Sequence, residues 1–367
     1  MNILFLSTHL NIGGISSYLL TLGKGLKKRS HNLYIASSGG QLENRVIEEG
    51  MEFIRIPIKT KSEISPKILF SFIKLSQLLK EKDINIIHAH TRVTQVLASW
   101  LCYFSHIPYV STCHGFFRPH FWRKAFPLWG KVVIAISDSV KEHLIKDFGI
   151  IPQKIRLIYN GIDLERFGIA QQESKREAKE KLGLRDGPVV GIISRLSDVK
   201  GHIYLISAMK LIFERVPNAQ LLIVGEGKEK KNLIEKVKKL GIEKNTIFMP
   251  SVENTSSVLS AMDLFVMPSL QEGLGLSIME AMACGLAVVA SEVGGIRNLI
   301  RDGFNGSLVK PKDIKKLYEV ILELLKDKDK ARLYGLNAHK TIANNFSQEK
   351  MVLGTERVYS ECLNASS

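Results

Sequence analysis

The sequence predicts two α/β units in tandem, each built on an open, doubly wound parallel sheet. Three observations lead there. Short apolar runs alternate with longer segments of helical spacing. A polar, charged stretch interrupts that alternation once. And 367 residues suffice for two domains of ordinary size.

In the first half, "NILFLS", "NLYIAS", "FIRIPI", "INIIHAH", "PYVST", "VVIAIS" and "IRLIYN" read as strands. Segments such as "ISSYLLTLGKGLKKR" and "PKILFSFIKLSQLLKEK" lie between them, with apolar residues at helical spacing. The pause comes at "NGIDLERFGIAQQESKREAKEKLG", which joins the units near residues 165–172. The strands resume with "PVVGIIS", "QLLIVGE", "NTIFMP", "LFVMPS", "LAVVAS" and "GSLVK". The tail after Pro311 is helical in pattern and has no further clear strand.

Composition narrows the class. With 45% hydrophobic and 24% charged residues, the chain is globular rather than disordered. The formal charge is +15, and it is uneven. Residues 1–166 carry 22 Lys and Arg against 12 Asp and Glu, a net +10; the remainder carries 29 against 24, a net +5. A basic half attracts polyanions: nucleic acid, anionic lipid or phosphorylated substrates. The cysteines Cys102, Cys113, Cys284 and Cys362 are widely spaced and suggest neither a metal framework nor a disulfide framework, which fits a reducing compartment. The apolar opening "MNILFLSTHL" lacks a cationic leader region and a cleavage site, so it reads as a buried strand. The longest apolar stretch is broken by His106 and Pro108 and falls short of a membrane span. The expectation is a cytoplasmic protein, at most peripheral on a membrane.

Ligands of open α/β sheets bind beyond the carboxyl ends of strands, and the motifs lie there. In "IISRLSDVKG", Arg195 follows a strand and Lys200 comes at an expected helix start. Two cations beside helix amides make a diphosphate cradle, although two solvated basic residues would look the same. In "QEGLGLSIMEAMACG", Glu272 sits in a glycine-containing turn. Glu280 falls among Ile278, Met279, Ala281, Met282 and Ala283. A carboxylate in so apolar a turn needs a partner, either a ligand diol or a structural ion pair. Gly273 and Gly275 allow close approach of backbone amides to a phosphate or sugar. Gly13 and Gly14 follow the first strand and open the first helix; as an anion site or as a plain tight turn they read equally well. His114 follows the strand "PYVST" and faces the expected crevice, where it is a substrate ligand or a structural histidine. His88 and His90 share one face at a strand end; without a third ligand they read as structural.

The stretch "CHGFFRPHFWRKAFPLWGK", residues 113–131, mixes six aromatics (Phe116, Phe117, Phe121, Trp122, Phe126 and Trp129) with Arg118, Arg123, Lys124 and Lys131. It suits the interface of an anionic membrane, or a loop packed on the core of the first unit.

These motifs together resemble the family 4 glycosyltransferases, also called group 1. The resemblance rests on Glu272 and Glu280 in "EGLGLSIMEAMACGLAVVASEVGGIRNLI", on Arg195, Lys200 and Gly201 in "SRLSDVKG", on "YNGIDLERF" at the junction, and on the Gly13-Gly14 and His114-Gly115 pairs. It spans essentially the whole chain and is most specific in the second half. It implies a GT-B fold, two Rossmann-like domains facing each other across a cleft. The domains would be 1–167 and 168–345, with a final helix in 346–367 crossing back to the first. It implies retaining, metal-independent transfer from a nucleotide-sugar, a UDP-sugar on family frequency, with no cofactor. Arg195 and Lys200 would hold the donor diphosphate and Glu280 the ribose. Glu272, with the amides of Gly273, Leu274, Gly275 and Leu276, would contact the donor sugar. His114 would contact the transferred sugar, and Gly13 and Gly14 would lie near phosphate and acceptor. Ser251 and Val252 would lie beside the base. The acceptor would be a glycan or lipid-linked glycan of bacterial envelope polysaccharide or lipopolysaccharide. An anionic membrane surface is the expected partner, and nucleic acid is not. The rival readings are a sugar-nucleotide epimerase of the same fold and a non-catalytic basic binding protein. The Glu272-to-Glu280 signature argues against the first, which would carry more acid/base residues in its cleft, and the complete set of donor-site residues, with no nucleic-acid fold signature, argues against the second.

Overall fold

The computed structural model describes residues 1–119, 121–169 and 174–364, without the side chain of Trp122. The chain divides into two units: residues 1–161 with the C-terminal helix, and residues 162–347.

The first unit runs β1 (Asn2–Leu6), α1 (Gly14–Lys28), β2 (Asn32–Ser37), α2 (Glu43–Glu48), β3 (Glu52–Arg55), α3 (Pro66–Glu81) and β4 (Ile86–Ala89). It continues with α4 (Arg92–Ser105), β5 (Tyr109–Cys113), α5 (Phe121–Ala125), β6 (Val132–Ala135), α6 (Asp138–Phe148) and β7 (Ile155–Leu157). The second runs α7 (Leu164–Phe167), α8 (Lys175–Lys181), β8 (Val189–Ile193), α9 (His202–Arg215), β9 (Gln220–Val224), α10 (Lys230–Lys239) and β10 (Thr246–Met249). It continues with α11 (Thr255–Ser260), β11 (Leu264–Met267), α12 (Leu276–Ala283), β12 (Ala287–Ser291), α13 (Ile296–Leu299), β13 (Ser307–Val309), α14 (Ile314–Lys326) and α15 (Lys328–Asn345). The last helix, α16 (Gln348–Asn364), packs in the first unit.

Each apolar run read as a strand is one. They assemble into a seven-stranded sheet, β3-β2-β1-β4-β5-β6-β7, and a six-stranded sheet, β10-β9-β8-β11-β12-β13. Every pairing is parallel. Parallel sheets must be covered on both faces, which explains strands such as β9 and β12 that are buried at every residue. This is the GT-B architecture in its two sheets.

On one face of the first sheet, Leu19, Leu22 and Leu26 of α1 pack with Met351, Val352 and Tyr359 of α16. On the other, Ile68, Leu75 and Leu79 of α3 meet Val93, Leu97 and Leu101 of α4. Each such side chain contributes about 1.5–3 kcal/mol when fully buried. The two units part at Gly161, six residues short of the composition-based boundary at 167. The Ile162 amide donates to the Phe346 carbonyl at 2.9 Å, so residues 162–167 are held by the second unit.

Candidate functional site

In an open parallel sheet the strand order reverses once, and the loops leaving the strands on either side of that reversal form a natural crevice. The reversal lies between β8 and β11 in the second unit and between β1 and β4 in the first.

In the second unit, the loop after β8 carries Arg195 and a short 3-10 turn, Asp198–Lys200. Gly201, at φ +71°, then starts α9 so close to the Pro268 carbonyl that a Cβ would collide. The loop after β11 carries Glu272, and Gly275, at φ +97°, starts α12. Left-handed backbone at both joints favours glycine. Lys200 Nζ and the Glu272 carboxylate form an ion pair with both side chains largely buried. Ser269 Oγ stands 3.4 Å from the same carboxylate. Arg195 is exposed and has no hydrogen bond or ion pair among the described residues.

Glu280 lies on α12 and is only 8% exposed. It accepts a hydrogen bond from Thr255 Oγ1 at 3.0 Å. Burial pushes its pKa up to about 7, against the Thr255 bond and the charge of Arg166. Arg166 in turn donates to the Glu253 carbonyl at 2.6 Å. Glu280, Arg166 and residues 253–255 therefore form one cluster, and the half-buried Ser251 and Val252 lead into it. Thr255 and Arg166 were not singled out in the sequence. Nothing local marks them, because their partner arrives from another loop. Leu274 is buried, so that position can offer a ligand only its backbone.

Side-chain oxygens of Ser65, Thr91, Ser137, Asp313 and Asp327 cap α3, α4, α6, α14 and α15. By contrast α1, α9 and α12 start at Gly13, Gly201 and Gly275 with no side-chain cap. Their first-turn amides are left to water or an anion. Beside α9 and α12, that anion would meet Lys200 and Arg195.

The first unit gathers different chemistry at its reversal. Gly13 and Gly14 are exposed, with open space around both α-carbons. His88, on β4, is fully enclosed; its Nδ1 meets the Tyr359 hydroxyl at 2.6 Å and its Nε2 the Thr112 hydroxyl at 2.7 Å. Both nitrogens are satisfied, so His88 is structural. The His90 ring lies against it with centroids 4.1 Å apart, and His90 Nδ1 reaches His114 Nε2 at 3.2 Å. Tyr18 of α1 packs edge-on to His114 with centroids 4.8 Å apart. Desolvation by the surrounding protein holds the pKa of half-buried His114 down to about 3 and that of buried His90 well below its ordinary value. Both rings are therefore neutral near pH 7. His90 Nε2 is buried without a partner among the described residues. With a proton on His90 Nδ1, His90 donates to His114 Nε2. His114 then keeps its own proton on Nδ1, where it can donate to a ligand. The i, i+2 spacing of His88 and His90 was visible in sequence; that His90 orients His114 was not.

The stretch from Phe116 to Lys131 splits. Trp129 is buried, Phe116 and Phe117 are half-buried, and Phe121 and Phe126 are exposed. The Phe117 amide donates to His143 Nε2 at 3.0 Å, and His143 Nδ1 meets Asp147 at 2.5 Å. The side chain of Trp122 lies outside the described residues. Among the described residues no cluster of three or more His, Cys, Asp or Glu side chains is placed to hold a metal ion.

Comparison with known proteins gives a consistent result. A family profile described as "Glycosyl transferases group 1" matches residues 174–341, and one described as "Glycosyltransferase Family 4" matches residues 12–166. The chain is 29% identical to the Escherichia coli UDP-Gal:alpha-D-GlcNAc-diphosphoundecaprenol alpha-1,3-galactosyltransferase over 83% of each chain. It is 27% identical to N-acetyl-alpha-D-glucosaminyl L-malate synthase of Bacillus anthracis, over 96% of this chain and 95% of that one. Among solved structures, Anabaena Alr3699/HepE in complex with UDP and glucose superposes with a TM-score of 0.87 at 25% identity, covering 98% of this chain and all of that one.

Proposed function

The chain belongs to the family 4 glycosyltransferases, and from that premise we propose that it moves a sugar from a UDP-sugar to a glycan or lipid-linked acceptor of the bacterial cell envelope, with retention of configuration and without a metal ion. The observation that carries the reading is the Lys200–Glu272 ion pair beside two uncapped helix starts, with Glu280 buried on the second of those helices.

The chemistry follows from where charge develops. As the bond between the sugar's anomeric carbon and the phosphate oxygen breaks, negative charge grows on the departing nucleoside diphosphate. Arg195, Lys200 and the first amides of α9 and α12 are fixed positive groups there, so they help most in the transition state. Glu280 accepts hydrogen bonds from the ribose diol once ionised. Glu272, released from Lys200 by the incoming diphosphate, accepts from hydroxyls of the donor sugar. Neutral His114 donates to the transferred sugar. The acceptor hydroxyl attacks from the face the leaving group departs, forms the new bond to the anomeric carbon, and passes its proton to the leaving phosphate oxygen. No covalent nucleophile is required.

A thermal-shift panel tests the donor assignment, because a ligand raises apparent stability by mass action. UDP and UDP-sugars should raise the melting temperature, while GDP and ADP should do so less at equal concentration. No shift with any nucleotide overturns the donor site. An isomeric nucleotide-sugar formed without acceptor overturns transfer in favour of epimerisation.

A further inference from the structure

A helix covering a sheet in water turns its polar side outward. On the first unit, α3 and α4 do not. Their inner residues form the core layer described above, yet Phe70 and Ile73 of α3 are 62% and 59% exposed. Tyr103 and Phe104 of α4 are 76% and 68% exposed, and Trp100, one turn earlier, is also exposed. Half-buried Phe72 joins the two sets, with its ring 6.2 Å from Trp100 and 5.3 Å from Phe104. Tyr103 sits edge-on to Phe104 at 5.1 Å. From Val93 to Phe117 the chain has no Lys, Arg, Asp or Glu. The result is an exposed aromatic cluster with further apolar side chains on α3 beside it, of a kind that marks an interaction site.

What surrounds it is basic. The segments that carry it, residues 59–82 and 92–131, hold eleven Lys and Arg against two Glu, with Lys82 paired to Glu52 and Lys131 bonded to the Cys362 carbonyl. One of those acids, Glu63, is already paired with Arg92 at 3.0 Å and Arg123 at 3.4 Å. Arg92 also donates to the Phe126 carbonyl at 2.9 Å, tying the exposed Phe121–Phe126 segment beside the N-terminal ends of α3 and α4. Lys67 and Lys74 stand exposed on α3 among the apolar residues.

We infer that this face of the first unit, α3 and α4 with exposed Phe121 and Phe126, is a docking surface for an anionic lipid bilayer. Aromatic rings favour the head-group level, and lysines with apolar stems reach the lipid phosphates from the rim. A second copy of the chain would cover the rings but set exposed lysines against exposed lysines. The charge therefore selects the lipid. The inference stands apart from the transfer reaction, since none of these side chains belongs to the donor or histidine clusters.

The test is co-sedimentation of the full chain with vesicles of phosphatidylcholine alone and with added phosphatidylglycerol. The chain should bind the second and not the first, and high salt should weaken binding. Tyr103→Ser with Phe104→Ser should weaken it roughly tenfold or more, and Lys67→Glu with Lys74→Glu should weaken it and flatten its salt dependence. Both variants should keep the wild-type stabilisation by UDP, which shows that the fold and donor site survive. The inference fails if the wild type ignores both vesicles, or if the double variants sediment with them as the wild type does. It also fails if sedimentation velocity finds a wild-type dimer that Tyr103→Ser with Phe104→Ser turns into a monomer, because a second copy then occupies the face.

Discussion

The two reversal points share a topology and differ in chemistry. Both sheets turn between their first and fourth strands in chain order, and both follow the first with a helix that starts at glycine. At the second unit's reversal stand Arg195, the Lys200–Glu272 pair and buried Glu280. At the first unit's stand three stacked imidazoles, His88 and His90 buried and His114 half-buried, with Tyr18 edge-on to the outermost. Topology thus sets where a site forms, and the residues set what it can hold. The charged crevice suits a diphosphate and its nucleoside. The neutral one suits the hydroxyls of a sugar, which gain from hydrogen bonds but not from a net charge.

Four experiments can break or sharpen that contrast. The largest effect should come from Lys200→Ala, which removes a cation next to the departing diphosphate. We expect kcat/KM to fall by about a thousandfold or more with the melting temperature little changed; an unaltered rate would remove Lys200 from the site. His114→Ala should cost about a hundredfold in kcat while leaving the affinity for UDP intact. Because the His114 pKa is held at about 3, the wild-type rate should show no inflection from this residue between pH 5 and 8. If UDP affinity fell with it, the division of labour between the two units would be wrong.

Next in size is a stability effect. Gly201→Ala forces a side chain onto φ +71° against the Pro268 carbonyl and should cost about 1–3 kcal/mol in chemical denaturation. Gly13→Ala meets open space on extended backbone and should cost under about 1 kcal/mol. Equal losses would mean that the two glycines do the same job.

The fourth test is a pH dependence. Glu280 titrates near 7 when folded and near 4.5 when unfolded, so the native state holds the extra proton between those values. Folding stability should therefore decline as pH rises from about 4.5 to 7 and then level off. A ribose diol needs the ionised carboxylate, so UDP affinity should move the other way, rising about tenfold from pH 6 to 8. Glu280→Gln should flatten both curves, and titration calorimetry with UDP checks the second directly.

Much of the fold was legible because its signals are local. Thirteen strands could be read as apolar runs, since a strand buried on both faces of a parallel sheet needs no polar alternation. The burial of Glu280 followed from its apolar neighbours on one helix. Partners were harder. Thr255 and Arg166 look ordinary in sequence and acquire meaning only where their loops meet α12. The aromatic stretch 113–131 shows the same limit. Spacing alone could not say that Trp129 turns in and Phe121 out. On α3 and α4, likewise, helical spacing does not reveal that Phe70, Ile73, Tyr103 and Phe104 face outward.

The sequence by itself determined the elements and the residue types at the ends of the central strands. Those depend on period, turn chemistry and composition within a few residues of each other. Only the tertiary structure decided that Lys200 faces Glu272, that His90 orients His114, and that Tyr359 of the last helix satisfies His88 of the fourth strand. Each of these contacts joins segments brought together by strand order. A loop end is placed by the sheet it leaves, so its neighbours in space are set by pairings that no local pattern encodes.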